Sequence, residues 1–227
     1  MGDRSRTFVA PLVLVVALVV GSLALHGRRA DGAAAHGGRV VGQVSASERA
    51  ATFTFDPSVA PADRDAVLTA VSHANPQAQT LIAAVDGLVD VHVGVTPGQT
   101  VGVTQSAGDR YDVSLNLGVV ARRYGQRGID RTVLHELGHV IDFALVPDAL
   151  DQQLDAAIPQ GYGCDQQMMG SCADRAERFA ESFAKWATGD IGVDLYLGYK
   201  VPPPDDLTAW GAPLGRLLGS GSPASRE

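Results

Sequence analysis

His135 and His139 lie four residues apart with Glu136 between them, inside the stretch Thr132–Asp142. On a helix that spacing sends both imidazoles off one face, one turn above the other, with the carboxylate on the neighbouring side. Two neutral imidazoles so placed hold a zinc ion, and the adjacent carboxylate can take a proton from metal-activated water. Two core histidines with ordinary partners would show the same five-residue pattern, so its surroundings matter. Val133, Leu134, Leu137, Val140, Ile141 and Leu145 give this helix an apolar face. Asp130 is placed to cap its start and Pro147 to stop its far end. Gly138 costs a helix about 1 kcal/mol relative to alanine, which points to another backbone passing close by.

A catalytic zinc site takes three protein ligands and leaves one position for solvent. A site with a third histidine would need glycine three residues past His139 and histidine three beyond that; those positions are Asp142 and Leu145. The remaining option is a carboxylate from a later helix, and the segment Ala176–Phe183 offers Glu177 and Glu181 on one face. The spacing leaves open which of the two binds. Asp142 is either a hydrogen-bond support for a ligating histidine or a plain helix-surface residue.

The pair His-Glu-Leu-Gly-His-Val-Ile-Asp (135–142) and Ala-Glu-Arg-Phe-Ala-Glu-Ser-Phe (176–183) resembles the catalytic domain of anthrax lethal factor and the related Pro-Pro endopeptidases. These are gluzincin metallopeptidases, and the resemblance is confined to the two helices. It implies a zincin-like α+β fold, with His135, His139 and Glu177 as zinc ligands and Glu136 as the catalytic carboxylate. It also implies that Glu181 supports a ligating histidine from behind, and that the substrates are extended, proline-containing peptides. The family's oxyanion-stabilising tyrosine falls here at Gly170. Tyr162 in the same loop is the expected substitute, with Tyr111, Tyr196, Tyr199 or no tyrosine at all as alternatives.

Elements that position these residues are readable around them. Thr52–Phe55 alternates as a strand, and Pro61–His73 and Pro76–Val85 read as helices opened by proline. Leu88–Val95, Thr100–Gln105 and Tyr111–Leu117 read as strands; the last stands beside the metal helix, where an exposed edge near Asn116 would pair with extended substrate. Asp148–Ile158 is a further helix, Gln160–Ala173 an irregular loop, Asp174–Thr188 the glutamate helix ended by Gly189, and Leu207–Leu218 a short last helix. His73 at a helix end is given no role, and His92 on a strand is expected to be a packed or rim residue.

The N-terminus sets the compartment. Thr7–Leu25 is an uncharged apolar run of 19 residues preceded by Arg4 and Arg6, long enough to span a bilayer. An uncleaved anchor is favoured over a signal cleaved near Ala33–Ala35, and both put the bulk of the chain outside the cytoplasm. The expected organisation is residues 1–6 cytoplasmic, 7–25 anchor or signal, 26–47 flexible linker, 48–219 zinc metallopeptidase domain and 220–227 disordered tail. Cys164 and Cys172, in a loop of an exported protein, are expected to close a disulfide. A net charge of −7 without a basic stripe excludes nucleic acid as a natural partner. The expected function is an extracytoplasmic zinc-dependent endopeptidase acting on peptides or proteins, with a non-catalytic zinc-binding module for envelope peptides or partner proteins as the alternative.

Overall fold

The computed structural model describes residues 53–96, 100–159, 173–192 and 201–218, all within the unit Gln43–Glu227. The order is β1 (Thr54–Phe55), α1 (Pro61–His73), α2 (Pro76–Val85), β2 (Val89–Val93), β3 (Gly102–Ala107), β4 (Arg110–Leu115), α3 (Leu117–Leu145), α4 (Asp148–Ala156), α5 (Arg175–Thr188) and α6 (Leu207–Gly211). The architecture is α+β, a small mixed sheet with helices. No helix among the described residues is long and apolar enough to cross a membrane. The anchor run Thr7–Leu25, the linker 26–47 and the tail 220–227 lie outside them, as do Tyr162, Gly170, Tyr196, Tyr199, Cys164 and Cys172.

The sheet order is β1-β2-β4-β3, with β1, β2 and β4 parallel and β3 antiparallel to β4. The strand at the sheet edge beside α3 is therefore β3, where the sequence places Tyr111–Leu117. Composition explains the exchange. Val113 and Leu115 of β4 are buried at 1% exposure, whereas β3 reads Gly-Val-Thr-Gln-Ser-Ala and tolerates the solvated edge. Gly108, with φ at 72°, opens the two-residue turn that returns β3 into β4.

Helix α3 starts thirteen residues before Asp130, capped by Asn116, whose side chain accepts from the Val119 N–H. It bends at Gly125, where φ of 62° and ψ of −153° suit only glycine. Asp130 is thus no cap; it sits inside the helix, accepts from the Gln126 amide and meets His73 Nδ1 at 2.9 Å. The far end stops as expected, since Pro147 follows the last turn and opens α4.

The decisive packing is α3 against α5. A β-carbon on Gly138 would stand 3.0 Å from the Ala180 Cα and 3.3 Å from Phe183 Cδ1, so the glycine is where the second backbone passes. Phe179, Phe183 and Ala184 of α5 are fully buried there, each phenylalanine contributing about 1.5–3 kcal/mol by leaving water. Both ends of α5 are closed locally. Asp174 accepts from the Glu177 N–H at the start, and Gly189 turns left-handed at the finish. Asn75 then ties that finish to α2, donating to Trp186 O while it caps α2 through Ala78 N.

Candidate metal centre

Two rows of residues spaced by four face each other across the Gly138–Ala180 crossing. Helix α3 contributes Arg131, His135, His139 and Phe143, and α5 contributes Glu177, Glu181 and Lys185. His135 Nε2 lies 3.1 Å from Glu177 Oε2, and His139 Nε2 lies 3.6 Å from Glu177 Oε1. One ligand atom from each of the three residues falls within 4.8 Å of the others, a group that could hold a metal ion. Both imidazoles turn Nε2 to the same carboxylate, one toward each of its oxygens. Two imidazoles and a carboxylate are a donor set that fits a metal ion.

Glu181 does not compete for that place. Its Oε2 faces His135 Nδ1 at 3.3 Å, while its Oε1 accepts from Arg131 Nη1 at 2.6 Å and meets Lys185 Nζ at 3.1 Å. The spacing had left Glu177 and Glu181 equivalent; the packing separates them. Asp142 is neither the expected support nor a plain surface residue, since it is buried at 8% exposure. It hydrogen-bonds neither imidazole among the described residues, and its charged neighbours are Asp151 of α4 and Arg175 of α5. His139 Nδ1 is buried and has no partner among the described residues.

The electrostatics follow from burial. Burial pulls His135 down, but hydrogen bonds to Glu177 and Glu181 outweigh it and push the imidazole up to about 10. His139 is pushed down to about 4 by burial, with the charge on His135 adding to it. Glu177 and Glu181 pay for burial too, yet the hydrogen bond each makes to His135 helps hold both below the ordinary carboxylate range.

Glu136 lies beside this group and outside it. Its carboxylate is buried against β3, where Thr104 Oγ1 donates to Oε2 at 2.8 Å and also stands 3.1 Å from the Glu136 carbonyl. Gly102 leaves the carboxylate its place, since a β-carbon there would come within 2.2 Å of Glu136 Oε1. Burial raises Glu136 above the ordinary carboxylate range, against the pull of His135. Phe143, half-exposed, stacks on His139 at 5.8 Å and on Tyr111 at 6.3 Å, so Tyr111 reaches the site's margin through an intervening ring.

His92 stands on the sheet near Asp56 and Asp112, apart from the centre, as a rim residue. Four residues were missed by sequence reasoning: Gly102, Thr104, Arg131 and Lys185. For two of them a signal existed, because Arg131 is one turn before His135 and Lys185 one turn after Glu181. Comparison with protein-family models, with curated proteins and with solved structures gives no match to this chain, so the geometry of the centre carries the functional reading.

Proposed function

We propose that this chain is a zinc-dependent peptide hydrolase with a zincin-like arrangement of sheet, metal helix and glutamate helix. The observation that carries the reading is the convergence of His135, His139 and Glu177 from two helices, with Glu136 lodged separately beside them. Two imidazoles and one carboxylate suit zinc, whereas magnesium and calcium favour all-oxygen sites. Zinc held by these three would supply a Lewis acid that polarises a carbonyl and acidifies water. Glu136 takes a proton from the attacking water as the carbon–oxygen bond forms, and returns it to the amine nitrogen as the carbon–nitrogen bond breaks.

The edge strand supports a peptide as the substrate. Among the described residues β3 has a neighbour on one side only, and it is the strand that touches Glu136 through Thr104 and Gly102. An extended peptide adding to that edge by main-chain hydrogen bonds would run past the carboxylate. The resemblance to the Pro-Pro endopeptidases favours proline-containing sequences, and the apolar run Thr7–Leu25 favours a site of action outside the cytoplasm, on a membrane anchor.

Replacing Glu136 by Gln tests the assignment. Cleavage of an unbiased peptide library should fall by about 10²–10⁴-fold with zinc still bound. Cleavage that survives with metal in place would refute Glu136 as the base. Stoichiometric zinc in the unmodified chain without any cleavage would favour the non-catalytic binding module.

A further inference from the structure

Arg131 is 1% exposed and the Lys185 side chain 2% exposed, so two full charges lie out of reach of water. An unpaired ion so placed costs several kcal/mol, and each must therefore find an anion or strong acceptors. Both find the same oxygen. Arg131 Nη1 donates to Glu181 Oε1 at 2.6 Å and Lys185 Nζ approaches it to 3.1 Å. Other bonds run outward, from Arg131 Nη2 to Asp190 O at 2.6 Å and to Gly192 O at 3.5 Å, and from Lys185 Nζ to Val201 O. Arg127 in turn holds the Asp190 carboxylate, with Nη2 2.8 Å from Oδ1. Neither buried cation touches a ligand atom.

Glu181 thus has its two oxygens divided: Oε1 belongs to the cations and Oε2 to His135 Nδ1. Glu177 differs, since among the described residues its carboxylate meets the two imidazoles and neither buried cation. We infer that Arg131 and Lys185 are positioning residues for the metal centre, clamping Glu181 so that it accepts from His135 Nδ1–H and leaves the Nε2 lone pair to the ion. The clamp also keeps Glu181 out of the ligand set, which assigns that role to Glu177. A carboxylate behind a ligating imidazole fixes the tautomer and ring orientation, and its loss typically costs 10–100-fold in metal affinity. Here that support itself depends on two cations deeper in the fold.

The inference rests on His135, His139 and Glu177 binding zinc, and the experiment separates the two claims. Zinc affinity is measured by competition with a chromophoric chelator on the full-length chain in mild detergent, with circular dichroism as the check on folding. Arg131→Met and Lys185→Met should each weaken zinc binding about 10–100-fold, and Arg131→Lys and Lys185→Arg should recover most of it. In a Glu181→Gln background the same methionine variants should cause no further loss, because they act through that carboxylate. Unchanged affinity in folded variants, or equal losses in both backgrounds, would overturn the inference while leaving the metal site standing. An unmodified chain that binds no zinc removes both claims. If Arg131→Met does not fold, the Lys185 pair decides alone.

Discussion

Glu136 and Gly102 meet where α3 passes beneath the edge strand, and the fit leaves no room for a methyl group. Thr104 holds one carboxylate oxygen by a single hydroxyl proton, so the side chain is oriented by two β3 residues of opposite character. Gly102→Ala should push the carboxylate aside rather than break the strand, because the atom in the way is the end of a side chain. A misplacement of about 1 Å is worth about 10²-fold in rate. We expect kcat/KM for peptide cleavage to fall by about that factor while zinc affinity stays unchanged. Unaltered cleavage by the alanine variant would show that Glu136 is not held there for chemistry.

At the scale of elements, the contact of α3 with α5 is what turns two glutamates toward two histidines. Gly138→Val would force the Ala180 backbone away, since a β-carbon already sits 3.0 Å from its Cα. Overpacking of this kind costs about 1–3 kcal/mol. Unfolding in chelator should show that loss of stability, and zinc binding should weaken with it; a valine variant with both properties intact would mean that the helices are free to separate. The contact of α3 with α4 makes a different prediction. Burial, reinforced by Asp151, pushes Asp142 up to about 7 from an ordinary 3.8. Below pH 4 the group is protonated folded or unfolded and contributes nothing. Between pH 4 and 7 the folded chain keeps a proton that the unfolded chain has released, so stability falls as pH rises, and above 7 the loss is complete. Asp142→Asn should therefore raise the melting temperature at pH 8 and leave it little changed at pH 4. A gain of the same size at both pH values would contradict this sign.

For the molecule as a whole, zinc binding and folding are linked, because the ligands come from α3 and α5 and converge only once these have packed. Free zinc at 100 times its dissociation constant should add about 2.7 kcal/mol. For a chain of this length that amounts to a rise of roughly 5–10 °C in Tm, reversed by chelator. Differential scanning calorimetry checks it, and a Tm indifferent to zinc would count against the centre.

Donor identity and helix spacing were legible in the chain itself. His135, Glu136 and His139 on one helix, Glu177 and Glu181 on another, the close approach at Gly138, the proline-opened α1 and α2 and the Gly189 stop are all local patterns, set by periodicity over a few turns and by caps. The start of α3 was not, because Asn116 and the bend at Gly125 outweighed the local promise of Asp130 as a cap. Strand order was not either, since the alternation of β3 and β4 says that both are strands and leaves open which one the sheet encloses. Contacts between distant residues were decided by packing alone. Thr104 reaches Glu136 across 32 residues and Arg131 reaches Glu181 across 50. Only in the folded chain do the two glutamates acquire different neighbours, one turned to the imidazoles and the other fastened to buried cations, because desolvated charges must pair wherever the backbone brings them together.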